Sequence, residues 1–160
     1  MIVVADASPL IALSRIGKLE LLRLLFGRLL VPQAVWQEVA LADSHRAGVQ
    51  ELLHANWVEQ RQVVDVALVR LLRRDLGAGE SEAIVLAREV KADVLLIDER
   101  LGRSAAARLG LPMTGLVGIL LEARRQGLLP DATSVIHQLR HEAGFWISDR
   151  LAALVVAKEV

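Results

Sequence analysis

Two short apolar runs in this 160-residue chain each close on an aspartate, IVVAD at 2–6 and VLLID at 94–98. Runs of this length, rich in Val, Leu and Ile and followed by helix-starting residues, read as buried strands. Longer stretches with helical spacing lie between and after them. Short apolar strands alternating with helices imply an α/β sandwich with a mainly parallel sheet. In such sheets chemistry gathers beyond the carboxyl ends of the strands, where Asp6 and Asp98 both fall. An ionised group taken out of water must find partners or lose its proton, so each of these aspartates caps something or binds something.

The remaining elements follow from punctuation and period. Ser8 and Pro9 predict a helix start, with the hydroxyl at the N-cap and the ring at the first helical position, and Gly17 predicts a break in that helix. RLLVP is a second short strand. Pro32 opens a helix over PQAVWQEVALA, whose apolar positions Val35, Val39 and Leu41 leave Glu38 beside the inward face. ADSHRAG interrupts before a short helix in AGVQELLHA. WVEQRQVV alternates in the manner of an edge strand, DVALVRLLRRDLG reads as an amphipathic helix ending at Gly77, and AGESEAIVLAREVKA as a helix with two glutamates in its first turn. ERLGRSAAARLG predicts a helix, LPMTG a brief strand, GLVGILLEARRQGLL another helix, and the last thirty residues two more around AGFWISD. With no repeat, low-complexity segment or linker, the expectation is one domain over 1–160, with a helical extension from about 130 to 160.

Composition narrows the classes. A hydrophobic content of 54% with only 3% aromatic residues predicts a Leu/Val/Ala core with apolar surface left for a partner, hence a homo-oligomer or a complex. The most apolar late stretch, LGLPMTGLVGILL, is too short and too interrupted to span a bilayer. A chain without cysteine or a basic leader points to the cytoplasm rather than to secretion. Nineteen basic residues balance nineteen acidic ones, so there is no global attraction to nucleic acid. Any basic groove is local, built from Arg70, Arg73 and Arg74, from Arg100, Arg103 and Arg108, or from Arg124 and Arg125. Each of these groups taken alone reads first as a solvated helix face.

The acids form the sharper pattern. If the two aspartate-ending strands are neighbours, Asp6 and Asp98 converge at one edge of the sheet. In GESEAI, Glu80 shares a helix face with Ala83, Ile84 and Ala87, the small apolar side that packs on a sheet, while Glu82 points elsewhere, toward Glu89. That favours Glu80 as the third acid, with Glu82 as an accessory on the rim and Glu38 as a fourth oxygen donor. Converging carboxylates repel one another unless a cation neutralises them, and hard oxygen ligands select Mg²⁺ or Mn²⁺. Such an ion can activate water and stabilise a phosphoryl transition state, so phosphodiester hydrolysis is the natural chemistry. The bland alternative gives Asp6, Glu80, Glu82 and Asp98 only helix-capping and dipole roles. Three acids together at strand and helix ends favour the metal.

VVADASPLIAL, PQAVWQEV, GESEAIVLA and LLIDERLGRSAA resemble, in that order, the acidic motifs of PIN-domain proteins. The likeness is to the VapC-like group marked by GExEAI and LLIDxxxxR, a glycine-rich TGLVGILLEA segment and extra C-terminal helices, and it covers nearly the whole chain. The resemblance implies a three-layer α/β/α fold with a parallel sheet of about five strands. It also implies Mg²⁺- or Mn²⁺-dependent ribonuclease activity on RNA and, for many relatives, a toxin role in a toxin–antitoxin pair, often as a dimer restrained by an antitoxin. Asp6, Glu38, Glu80 and Asp98 match the motif acids, and Ser8 matches the small hydroxyl residue two positions after the first. Where typical VapC toxins carry a further aspartate, Glu99 and Arg100 follow Asp98 here, which leaves the number of metal ions open. Arg103 either binds a phosphate or pairs with the acids. The rival expectation keeps the fold but makes the chain a weak or inactive nucleic-acid-binding or assembly module. On that view Trp146 and the apolar residues after it form an interface, unless they close the core.

Overall fold

A computed structural model describes residues 1–42 and 47–157. Its elements, in order, are β1 (Val3–Ala5), α1 (Ala7–Arg15), α2 (Glu20–Phe26), β2 (Leu29–Pro32), α3 (Gln33–Ala42), α4 (Ala47–Leu53), β3 (Val58–Arg61), α5 (Val66–Leu72), α6 (Ala78–Glu89), β4 (Val94–Leu96), α7 (Arg100–Arg108), β5 (Met113–Thr114), α8 (Leu116–Arg125), α9 (Ala132–His141) and α10 (Asp149–Val156). The expected interruption at ADSHRAG falls mostly on 43–46, outside the described residues.

Five strands form one sheet in the order β3-β2-β1-β4-β5, every pairing parallel. Helices cover both faces, giving the expected three-layer α/β/α architecture. Parallel strands sheathed on both sides need apolar residues at every position rather than alternate ones. The central strand obeys this: Val3, Val4 and Ala5 are all buried, as are Leu95 and Leu96 on β4. WVEQRQVV supplies β3 and lies at the sheet edge, as its alternation predicts.

Chain direction reverses at the centre of the sheet. From β1 the chain builds outward to β2 and β3, then crosses back through α5 and α6 to lay β4 on the other side of β1. The crevice of such a sheet opens at the carboxyl ends of the two strands flanking the switch. Here those are β1 and β4, with Ala5 opposite Leu96 in register. The two aspartate-ending strands are therefore neighbours, and α6 packs across β1, β2 and β4 beneath them.

Several local expectations are corrected. The first helix begins at Ala7 with Asp6 in the N-cap position, so Ser8 and Pro9 lie inside its first turn. A proline is tolerated there because its missing N–H has no intrahelical acceptor. Pro32 ends β2 instead of opening α3, and Leu41 is 84% exposed, since α3 turns only Ala34, Val35 and Val39 inward. The helix expected to reach Gly77 stops at Leu72. At the C-terminal end, Ile147, Ala152 and Val155 close the core, but Trp146 does not. The caps of α9 and α10 are side-chain ones: Asp131 accepts from the Ser134 amide and Ser148 from that of Leu151.

α1 and α4 approach so closely that a β-carbon on Gly48 would collide with the backbone carbonyl of Ser14. Backbone cannot yield as a flexible side-chain tip can. In an unobstructed helix, glycine-to-alanine stabilises by about 0.4–1 kcal/mol; Gly48→Ala is expected instead to destabilise by about 1–3 kcal/mol through overpacking. Urea unfolding of the two proteins measures the difference, and a gain in stability would contradict this helix pairing.

Candidate active site

Asp6 sits where β1 gives way to α1 and is only 2% exposed. Its backbone amide extends the sheet by one bond, donating to the Leu96 carbonyl at 2.9 Å, which fixes the residue between the two central strands. Although it occupies the N-cap position, its side chain makes no capping bond to the turn that follows. Burial above all pushes its carboxyl up to about 7, and the charges of Glu80, Glu38 and Asp98 push it the same way against the pull of the Ala7 amide. The other three acids singled out in the sequence therefore all bear electrostatically on Asp6.

Asp98 lies two residues beyond β4. Its Oδ1 accepts the Leu116 amide at the start of α8 at 2.9 Å, while Oδ2 is buried with no hydrogen-bond partner. Burial raises its carboxyl first; the Leu116 amide and the Arg103 guanidinium draw it down, and the Glu99 charge lifts it again. Arg103 is thus an electrostatic neighbour of the acids, with Nη1 donating to the Ile97 carbonyl at 2.9 Å. Glu80, half-buried at the third position of α6, reaches back toward the Gly77 amide in the manner of a capping box. Its carboxyl is also raised, by burial and then by Glu99, with Glu38 adding to the repulsion.

Glu38 and Glu82 take part in an exchange between helices. Glu38, exposed on α3, accepts the Gly79 amide at the start of α6 at 3.1 Å, and Glu82 on α6 accepts the Ala34 amide at the start of α3, also at 3.1 Å. Each carboxylate meets the positive end of the opposite helix. Glu82 is consequently half-buried at α3, a correction to the expected rim position facing Glu89. Glu89 is engaged elsewhere, accepting the amides of Val64 and Asp65.

Ser8 lies half-buried on α1 and lines a cleft of about 350 Å³ together with Arg15, Glu99 and the segment 143–146. Of the basic groups, Arg124 donates to the Val155 carbonyl and Arg125 pairs with Glu122, so that pair holds α8 and the C-terminal helix in place. Arg74 and Arg108 flank a separate groove of about 620 Å³ between the end of α5 and α7.

The donor set suits a hard divalent cation: its atoms are carboxylate oxygens, two of the acids are largely buried, and Asp98 Oδ2 has no partner. Among the described residues no three ionisable side chains come close enough to cage an ion alone. An ion bound here would need waters to complete its coordination shell, as Mg²⁺ commonly keeps.

A family model, DUF3368, described as a PIN domain, matches residues 2–159. The chain belongs to the PIN-domain family. PIN domains are generally nucleases, and they typically use divalent metals. No curated protein and no solved structure matches the chain. No helix among the described residues of this PIN domain is long and apolar enough to cross a membrane.

Two features of this PIN domain escaped the sequence reading. Glu99, noted only as a departure from a motif, bears electrostatically on both Glu80 and Asp98; its place directly after Asp98 was the available signal. Three glycines also seat the acids. A β-carbon on Gly79 would collide with the Glu38 carboxylate, one on Gly102 would come within 2.9 Å of Glu80 Oε2, and one on Gly115 within 2.5 Å of Asp98 Oδ1. Gly102 inside a helix, where glycine is costly, was the visible hint.

With its carboxyl at about 7 in the fold against 3.8 unfolded, Asp6 holds a proton that the unfolded chain releases. Folded stability from this group is therefore greatest below about 4 and falls by a few kcal/mol as pH rises to 7. Asp6→Asn is expected to melt above the wild type at pH 8 in chelating buffer, with the gap closing toward pH 5. Equal melting temperatures at pH 8 would show that Asp6 is not a strained charge.

Proposed function

We propose that this PIN domain is a metal-dependent endoribonuclease that hydrolyses RNA phosphodiester bonds, and that it serves as the VapC-like toxin of a toxin–antitoxin pair. The observation that carries the reading is the convergence of acidic charge on Asp6, a carboxylate buried between the central strands and lifted to about 7 by burial and by Glu80, Glu38 and Asp98. Its own helix leaves the side chain uncapped. A site of this kind is relieved by a divalent cation.

Asp6, Glu80 and Asp98 would hold Mg²⁺ or Mn²⁺, with Glu38 at the margin and Glu82 accessory. When bound, the ion supplies an activated water and charge stabilisation for the phosphoryl group. In the hydrolysis, the water oxygen bonds to phosphorus, the bond to the leaving ribose oxygen breaks, and that oxygen takes up a proton. The chain's own contribution is orientation. The Leu116 amide holds Asp98 Oδ1, which leaves Oδ2 for the ion, and Gly79 holds Glu38. Arg103, kept close by the Ile97 carbonyl, places a positive charge beside the acids where a phosphate would lie. Ser8 offers a hydroxyl from the neighbouring cleft. The leucines left exposed, among them Leu151 and Leu154 on α10, support a homodimer or an antitoxin contact.

A second reading has its own support: Glu38, Glu82 and Asp98 each already accept a backbone amide at a helix start. In a module without activity, that capping would be their whole role. Cleavage assays separate the two. Purified protein is expected to cut RNA with Mg²⁺ or Mn²⁺ and not in chelator, and Asp6→Asn is expected to lower the rate by about a hundredfold or more while circular dichroism stays unchanged. Undiminished cleavage in the variant, or RNA binding without turnover under any divalent ion, would remove the nuclease reading. A small antitoxin-like reading frame beside the gene and growth arrest on expression would support the toxin role.

A further inference from the structure

Trp146 stands out from the rest of the chain. Five aromatic residues of the Phe and Trp types occur in 160, and this indole is 83% exposed. The loop that carries it is pinned. Its next residue, Ile147, is buried, and the Ile147 carbonyl accepts Nε and Nη2 of Arg140 at 3.0 and 2.6 Å. On the other side, the Phe145 amide donates to the Leu139 carbonyl at 2.8 Å, and Arg15 Nη1 donates to the Ala143 carbonyl at 3.1 Å. With Ile147 held inward, the neighbouring indole is held outward. No ring contact engages it among the described residues.

What it borders gives the exposure a meaning. Trp146 and Phe145 line the 350 Å³ cleft together with Ser8 and Glu99. Ser8 is two residues from Asp6 and Glu99 is next to Asp98, so two of the residues lining the cleft are near neighbours in the chain of the acids. The Glu99 carboxylate disfavours a phosphate inside it, and Arg15, which donates to Ala143, is not the exposed cation a phosphate subsite would need. A flat neutral ring with polar edges suits this lining, which offers the indole for its face and the polar groups of Ser8 and Glu99 for its edge. Nucleobases have this form, and unstacked bases of single-stranded RNA commonly stack on aromatic side chains.

We propose that Trp146 is a stacking platform for one unpaired base next to the scissile phosphate, so that this cleft is a base-binding subsite which selects single-stranded over fully paired RNA. The proposal rests on the nuclease reading for its substrate, but it is tested by binding. The probe is a fluorescein-labelled single-stranded RNA octamer of mixed sequence, titrated with the full chain in Ca²⁺ without turnover and compared with the same octamer annealed to its complement. Trp146→Ala is expected to weaken single-strand binding about tenfold or more, the range of one base–aromatic stack, while Trp146→Phe retains most of it. Duplex binding is expected to change little. In Mg²⁺ the alanine variant is expected to raise KM with kcat unchanged.

If wild type and Trp146→Ala bind the octamer equally while cleavage persists, the stacking proposal is overturned and the nuclease reading stands. If the wild type neither binds nor cuts the octamer with any divalent ion, both fall. If the substitution instead shifts the oligomeric state on size exclusion and leaves RNA affinity untouched, the indole belongs to a protein interface and the proposal is also overturned.

Discussion

Negative charge crowded at one edge of a parallel sheet is the constraint around which this structure is organised. Asp6 and Asp98 stand beyond adjacent strands, and burial lifts both carboxyls, aided at Asp6 by the charges of Glu80, Glu38 and Asp98 and at Asp98 by that of Glu99. Such crowding is tolerable only because helices direct their amide-rich starts toward the same edge. α6 offers Gly79 to Glu38, α8 offers Leu116 to Asp98, and α3 offers Ala34 to Glu82. The parallel topology contributes to this, since α3 and α8 begin directly after β2 and β5, while α6 follows β3 by way of α5. Asp6 has only the pull of the Ala7 amide that follows it, and its side chain makes no capping bond to the next turn of α1.

Space matters as much as charge. Glu38, Glu80 and Asp98 each lie against a glycine that a larger residue would push into the carboxylate. A side chain at Gly79, Gly102 or Gly115 would therefore displace the neighbouring carboxylate from the position it holds. A group held in a costly electrostatic state by its surroundings is the usual mark of a functional site, and here the cost centres on the crevice between β1 and β4. The cleft lined by Trp146 also carries Glu99, the residue directly after Asp98.

Much of this was legible in the residues. The two aspartate-ending runs, the alternation of strand and helix and the edge character of WVEQRQVV all depend on local period and punctuation, which survive folding unchanged. The preference for Glu80 over Glu82 came from helix geometry alone; in the structure the charges of Glu99 and Glu38 bear on Glu80, while Glu82 accepts the Ala34 amide at the start of α3. Other expectations failed where local rules met tertiary demands. Ser8 has the chemistry of an N-cap, yet the helix starts earlier because β1 hands the chain directly to α1 at Asp6. Leu41 has the spacing of an inward residue, but it lies on the last turn of α3 and is exposed.

The sequence by itself determined which residues are apolar, which turns break the chain, and which acids fall at strand and helix ends, because these follow from side-chain type and near-neighbour spacing. Only the tertiary structure decided that β1 and β4 are neighbours, that Glu99 acts on Glu80 and Asp98, and that Gly79, Gly102 and Gly115 lie against the carboxylates. The exposure of Trp146 was decided there too, by hydrogen bonds from Arg140 and Arg15 to the loop that carries it. The physical reason is common to all of these. Strand order, close approach and the sum of many charges at one point depend on residues far apart in the chain, and no local pattern records which of them will meet.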